Sequence, residues 1–450
     1  MSPYETAVAR MFALGHELAQ TPSHKFDLAH MRVLLAALDN PERRFPSVLI
    51  AGTNGKGSTA STLASILQAS GLRTGLYTSP HLVRINERIQ IGGEQISDSD
   101  FALVHDLVDR IAERLVGEGE LPWHPSFFEM LTAIAFEHFA RRKVNIGVLE
   151  VGMGGRLDAT NVVEPRVSVI TDISLDHQKF LGDTVTEIAG EKAGIIRPGG
   201  VVVTLPQQPQ ANDVIGNTIL KLGARAVNAV PYVPPVSPAS SEYRAASAVR
   251  TPVSRYPLQV MSEQIMVETP LLGRHQLRNV ALAIAAAAEL GRQGFPVGAA
   301  SLERGIRETH WPGRFQVMPA TSRTPEYVFD VAHNPAGAWA LRSTLSASYP
   351  DRPLTFIFGA MRDKAIGEMG EILFPLAERV IATCADNPRS ATPREIRNAA
   401  SRTSIQIEEA ADVAAAIELA RTSARPDAVV VITGSIYIVG EAMRLLGARI

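Results

Sequence analysis

The chain has a single cysteine, Cys384, in 450 residues, so no internal disulfide can form. That excludes a disulfide-framed secreted scaffold and fits either a reducing compartment or indifference to redox chemistry. Neither sign of charge is in excess: 44 Lys+Arg against 46 Asp+Glu leave a formal charge of -2. A general nucleic-acid binder would carry a basic domain, so nucleic acid is not an expected partner. Long apolar stretches are also missing. The longest purely apolar run is Val280–Ala288, whereas crossing a bilayer takes roughly 20 residues. The opening MSPYETAVARMFALG lacks a basic segment followed by an apolar core, and it reads as an amphipathic helix, not a signal peptide. These absences place the expected protein in the cytoplasm with no membrane partner. With one cysteine and no HExxH there is nothing to build a zinc site from, and no GxSxG elbow occurs. Cys384 has no visible base partner for thiol catalysis.

The remaining composition, 46% hydrophobic and 20% charged, is that of an ordinary globular chain. It excludes collagen-like, low-complexity and mainly disordered classes. At about 150 residues per domain the length suggests roughly three domains, and two larger ones fit equally well. Strand-like runs (47–51, 73–77, 144–151, 167–171) alternate with helix-like stretches (58–70, 127–140, 185–194), which predicts an α/β fold with a parallel sheet covered by helices. The Pro- and Ser-rich stretch 231–255 reads as an extended surface loop or spacer. A hairpin over 256–268 and an Ala-rich helix over 276–290 are expected to follow it. A second αβ series begins near Pro296, with strands expected at 327–330, 354–359, 380–383 and 428–433. The expected organisation is a first domain over 1–296 and a smaller Rossmann-like domain over 297–450, with the seam near RQGFPV at 292–297.

Chemistry concentrates after strands. Ala51-Gly52-Thr53-Asn54-Gly55-Lys56-Gly57-Ser58-Thr59 lies between a strand and a helix. Backbone N–H groups at a helix start form an anion site, and glycines let the backbone approach a phosphate. Lys56 can neutralise β/γ phosphates, and Ser58 or Thr59 can reach magnesium. Gly57 between Lys56 and Ser58 departs from the strict Walker spacing. Lysine is scarce beside arginine in this chain, which marks Lys56 out further.

Glu150, in LEVGMGGRLDATN (149–161), ends an apolar strand and so faces the crevice where ligands of a parallel sheet bind. Beside a triphosphate such a carboxylate is suited to hold magnesium, which takes hard oxygen ligands and usually one or two carboxylates. TDISLDH (171–177) also follows a strand, and His177 could be a metal ligand, a base or a structural histidine. Ser79, in SPHL, offers a hydroxyl near the expected nucleotide crevice. In the second domain, Asp330 of FDVAHNP could bind ribose hydroxyls or a substrate amine, and Arg314 of WPGR could reach phosphate.

The ordered series GTNGKGST, SPHLVRINERI, SFFEMLTAIAF, EVGMGGRLDATN, DHQKFLGDTVTEIAGEKAGI, GRHQLRN, WPGRFQ, DVAHNP and TGSIYIVG closely resembles the folylpolyglutamate synthase / dihydrofolate synthase family of the Mur ligases. The likeness covers about 45–205 and 273–440; 231–255 looks like an insertion. It implies a P-loop-containing Mur-ligase-like central domain with a parallel sheet, plus a smaller Rossmann-like C-terminal ligase domain. It implies an ATP-dependent amide ligase of folate biosynthesis and one-carbon metabolism. Such an enzyme adds L-glutamate to dihydropteroate, to tetrahydrofolate, or to both, through an acyl phosphate, giving dihydrofolate or folylpolyglutamates, ADP and phosphate.

The same resemblance implies roles for particular residues. Asn54 and Gly55–Thr59 would wrap the ATP phosphates, and Asn279, Arg314 and Asp330 would contact the nucleotide. Ser79, Glu150 and His177 resemble ligands for two Mg2+ ions, and Lys192 stands where the family carries a carbamylated lysine. Ser126, Phe127, Phe128 and Glu129, with Leu157, Asp158 and Ala159, resemble pterin-substrate contacts. His333 would face the reaction crevice, giving Lys56, Glu150, His177, Lys192 and His333 as the catalytic set. A monovalent cation and a monomeric state are further implications. The chemistry accounts for such a set: an anionic acid must approach an anionic triphosphate, so positive charge and metal must lie between them. Closure would protect the acyl phosphate from water. Carbamylation needs a neutral amine, so Lys192 is expected to be buried.

Two rivals fit less well. A cell-wall Mur-type ligase would usually carry a nucleotide-sugar domain before the Gly-rich loop, and only 51 residues precede Gly52. A regulatory P-loop NTPase of the guanine-nucleotide kind would usually have NKxD, which is absent, and would leave DATN, EKAG and HNP unexplained.

Overall fold

In the computed structural model of the chain, the described residues are 1–15, 28–235, 253–322, 324–423, 425 and 427–450. They form two compact units, the first made of Met1–Pro234, Pro257–Met266 and Arg278–Thr309, the second chiefly of Val267–Leu277 and His310–Ile450.

The first unit holds an eight-stranded sheet. Its strands are β1 (Ser47–Ala51), β2 (Thr74–Tyr77), β3 (Ile89–Ile91), β4 (Glu94–Gln95), β5 (Ile146–Glu150), β6 (Val167–Ile170), β7 (Val201–Thr204) and β8 (Arg225–Asn228), in the order β4-β3-β2-β5-β1-β6-β7-β8. Strands β2, β5, β1, β6, β7 and β8 are parallel, and β3 and β4 add an antiparallel edge. The central strands SVLIA and IGVLE are buried at every position, the signature of a sheet covered on both faces.

Several helices of the first unit start on a local signal. Helix Phe127–Arg141 has Ser126 as N-cap and Glu129 completing a capping box. Helix Val185–Ala193 uses Thr184 and Glu187 in the same way, and the opening helix Pro3–Ala13 uses Ser2 and Glu5. The helix Lys56–Ala69 instead begins after Gly55, whose φ of 87° suits glycine.

A separate hairpin pairs β9 (Ser254–Val260) with β10 (Glu263–Thr269). Most of the expected surface insertion, residues 236–252, lies outside the described residues. The second unit has six strands: β11 (Gln316–Met318), β12 (Glu326–Phe329), β13 (Leu354–Phe358), β14 (Arg379–Ala382), β15 (Ile407–Glu409) and β16 (Val429–Thr433), ordered β11-β12-β16-β13-β14-β15. All neighbours are parallel except β11, which runs antiparallel to β12.

The seam differs from the expected position near 292–297. Helix Ala299–Arg307 belongs to the first unit, because Gly305 lies so close to the Ile66 backbone that a Cβ there would sit 2.4 Å from its Cα. Ser65 also donates to the Gly305 carbonyl at 2.7 Å. Close helix packing, not the Gly-Pro composition of the connecting segment, decides to which unit this helix belongs.

Candidate active site

Four neighbouring parallel strands, β2-β5-β1-β6, end together. The register pairs Tyr77 with Leu149, Ile50 with Glu150 and Ala51 with Ile170. The strands lie about 4.8 Å apart, so the segments that follow them line one end of the sheet. They carry Ser79, Glu150, the Gly52–Lys56 loop and Asp172–His177.

The loop after β1 is held by the segment that follows β6. Thr53 and Asn54 donate their N–H groups to the Asp172 carbonyl at 2.9 and 3.2 Å. Thr171 donates its hydroxyl to the Asn54 carbonyl at 2.7 Å, and Thr53 exchanges bonds with Ser174 at 3.0 and 3.1 Å. Two glycines are required by contact. A Cβ on Gly52 would meet Thr171 Oγ1 at 1.8 Å, and one on Gly55 would meet Asn279 Oδ1 at 2.2 Å. Thr59 donates to the Asn279 carbonyl at 3.4 Å, so Asn279 lies beside the loop. Lys56 Nζ reaches the Thr53 carbonyl at 3.3 Å; Ser58 and Thr59 are buried in the first turn of the helix, with Gly57 between Lys56 and Ser58.

Lys192 is 3% exposed and donates to the Gly52 carbonyl at 2.9 Å. Burial lowers its pKa to about 7, with the Lys56 charge adding to the effect and Asp176 opposing it. A neutral amine is thus accessible near neutrality, directly beneath the phosphate loop. Glu150 is 4% exposed and accepts from the Ser79 N–H at 3.1 Å, beside the cis Ser79–Pro80 bond. His177 takes a left-handed conformation, φ 52°, at the start of helix Gln178–Leu181, and its Nε2 lies 3.9 Å from Asp176. Among the described residues no group of three or more His, Cys, Asp and Glu could hold a metal by itself. A buried carboxylate, a serine and an Asp-His pair beside a phosphate loop fit magnesium, which keeps water and phosphate oxygens in its shell.

The glycine-rich run after β5 has a packing cause. A Cβ on Gly155 would meet the Glu191 carbonyl at 2.7 Å, and one on Gly194 would meet Arg156 Cβ at 2.4 Å. Arg156 donates its N–H to the Glu191 carbonyl at 2.8 Å, and its guanidinium bonds the Glu191 side chain at 2.8 Å. GMGGR and EKAG are thus two halves of one contact that carries Lys192 to the loop. Phe128 lies over Gly152, where a Cβ would be 2.5 Å from its ring.

Several expected substrate contacts are engaged locally. Glu129 accepts from the Ser126 N–H and hydroxyl at 2.8 and 2.7 Å. Phe127 is buried and stacks on Phe12 with ring centroids 5.8 Å apart. Asp158 is buried, its pKa raised by desolvation, and it accepts from Met153 N–H and Thr160 N–H at 3.0 Å each. Leu157 and Ala159 flank it, Ala159 opening a short 3-10 turn. In this geometry Phe128, half-buried beside Tyr77 at 6.0 Å, is the aromatic surface of the segment.

In the second unit, Asp330 follows β12 and is buried, with its pKa raised by desolvation. Its two oxygens accept the N–H groups of Phe315 and Ala332, each at 2.9 Å. Arg314 lies over the Trp311 ring at 5.7 Å. His333 Nδ1 sits 2.9 Å from the Val331 carbonyl, and Asn334 caps helix Pro335–Ser348 through the Gly337 N–H at 2.8 Å.

Sequence reasoning missed Thr171, Asp172, Asp176 and Arg278, which hold or surround the loop. The available signal was their density in TDISLDH just after a strand, and an arginine directly before Asn279.

The chain matches the Mur ligase middle domain over residues 126–287 and the Mur ligase glutamate ligase domain over residues 313–436. It is 34% identical to the dihydrofolate synthase/folylpolyglutamate synthase of Bacillus subtilis over 430 residues, covering 93% of this chain and 94% of that protein. A probable bifunctional folylpolyglutamate synthase/dihydropteroate synthase of Haloferax volcanii is 37% identical over 92% of this chain, which spans 47% of that longer protein. Mycobacterium tuberculosis folylpolyglutamate synthase, solved in complex with ADP and AMPPCP, aligns with a TM-score of 0.85 at 32% identity, covering 98% of this chain and 99% of that one.

Proposed function

The chain belongs to the folylpolyglutamate synthase / dihydrofolate synthase family of Mur ligases, and from that premise we propose that it joins L-glutamate to dihydropteroate, to a reduced folate, or to both, using ATP. The observation that carries the reading is the convergence of the phosphate loop, Lys56, the buried Lys192 and Glu150 at four aligned strand ends.

The acid's carboxylate oxygen takes the γ-phosphoryl group and ADP leaves. The glutamate amine then attacks the acyl carbon, phosphate departs, and a proton is released. The loop N–H groups and Lys56 hold the triphosphate and offset its charge. Magnesium, when bound, supplies charge neutralisation between carboxylate and phosphate; Glu150, Ser79 and His177 would hold it. The neutral Lys192 amine can add carbon dioxide to give a carbamate and a proton, adding a carboxylate to that side. For the second unit we propose that Arg314 meets nucleotide phosphate, that Asp330 fixes the turn presenting Arg314, and that His333 faces the amino acid. Phe128 offers a face for a pteridine.

The test supplies MgATP and glutamate with dihydropteroate or tetrahydrofolate separately, and measures phosphate release and product length. Pterin- and glutamate-dependent release is expected. Rapid release with ATP alone, indifferent to both, would indicate a regulatory NTPase instead.

A further inference from the structure

We propose that Arg278 is a positioning residue for the phosphate loop, acting through Asp172. Its guanidinium forks onto the Asp172 carboxylate, Nη2 to Oδ1 at 2.7 Å and Nε to Oδ2 at 3.3 Å, and also donates to the Pro206 carbonyl at 3.0 Å. The backbone carbonyl of the same Asp172 accepts the N–H groups of Thr53 and Asn54. Holding the side chain therefore holds the peptide on which two consecutive loop residues hang.

The neighbouring residue of the same helix, Asn279, bounds the loop at its other end, against Gly55 and Thr59. Arg278 and Asn279 together hold Thr53 to Thr59 from one helix. Asn279 acts by direct contact and Arg278 through a relay of one residue.

The geometry also separates positioning from stability. The two side chains are 32% and 39% exposed, and pairs this wet contribute little to folding. Misplacing a ligand-holding segment by about 1 Å can cost up to about a hundredfold in rate. Lysine would keep the charge and lose the planar fork.

This inference rests on the reading of the loop as a triphosphate site, and the experiment tells the two apart. Calorimetric titration with AMPPCP is done on the wild type, Arg278→Ala, Arg278→Lys, Asp172→Asn and the double variant Arg278→Ala/Asp172→Asn, with melting temperatures alongside. Arg110→Ala, which breaks the surface pair with Asp106, is the control and is expected to bind like wild type. Arg278→Ala is expected to weaken binding about tenfold while melting within about 3 °C of wild type, with Arg278→Lys intermediate. The double variant should be no weaker than Arg278→Ala alone, because the two residues form one relay. In turnover, KM for ATP should rise in parallel while KM for glutamate stays within about twofold. Wild-type affinity in both Arg278→Ala and Asp172→Asn, or losses that multiply in the double variant, overturns the relay. A wild type that does not bind AMPPCP overturns the nucleotide reading itself.

Discussion

Glu150 and Asp330 occupy matching places in the two sheets. Each is a buried carboxylate where a parallel strand ends, β5 in the first unit and β12 in the second. Their surroundings differ. Asp330 is followed by a turn and lies beside the Gly313–Phe315 segment, so two backbone N–H groups, those of Phe315 and Ala332, point at its oxygens. Glu150 is followed by a glycine-rich run that packs on Glu191, and it receives the Ser79 N–H from the segment after β2. The same residue type at the same kind of strand end thus organises a turn in one unit and, in the proposed function, holds magnesium in the other. On that proposal, the backbone donors that neighbouring segments bring decide whether a strand-end acid is left for a ligand role or taken up as a structural acceptor.

The sharpest way to break this contrast is to neutralise each acid. Glu150→Gln is expected to lower kcat/KM by about a hundred- to a thousandfold, measured as folate-dependent phosphate release, with a melting curve close to wild type. Asp330→Ala should act the other way round. It leaves two buried N–H groups without their acceptor, a loss of about 2–6 kcal/mol at roughly 1–3 per group, seen in denaturant unfolding. If Asp330→Ala is as stable as wild type and only inactive, the distinction fails.

Gly55→Ala tests the loop itself. A left-handed φ costs roughly 1–2 kcal/mol for a residue with a Cβ, and here the Cβ also meets Asn279. AMPPCP affinity should fall by about tenfold or more. The smallest effect, taken per pH unit, concerns Lys192. Its folded pKa is lowered to about 7 from 10.5, so between those values the unfolded chain binds more protons than the folded one. Stability should therefore rise with pH from about 7 towards 10.5 and be unaffected by this group below that window. The slope is at most about 1.4 kcal/mol per pH unit. Lys192→Met should flatten that part of the profile; an unchanged slope would place the titration elsewhere.

Much of this was readable from local pattern. The Gly-rich loop, the helix starting at Ser126 and the strand SVLIA each declare themselves in a few consecutive residues, because caps, glycine conformations and buried strands are decided within one or two turns of chain. The short edge strands Ile89–Ile91 and Glu94–Gln95 and the helix Asp98–Gly117 carry no such concentrated signal. The seam escapes local pattern for a related reason: Gly305 looks like any helical glycine until Ile66 is seen against it. Ser126, Glu129 and Asp158 resemble substrate contacts in sequence; in the structure their oxygens and N–H groups are engaged in a cap and a turn.

The sequence by itself determined the α/β alternation, the phosphate-binding loop and the family, since each depends on residues adjacent in the chain or on motifs in fixed order. Tertiary structure alone decided that Lys192 lies beneath Gly52, that Asp172 carries the loop on its carbonyl, and that Asp330 holds a turn. Those are matters of desolvation and of hydrogen bonds between segments far apart in sequence, and such energies exist only once the strands have been brought side by side.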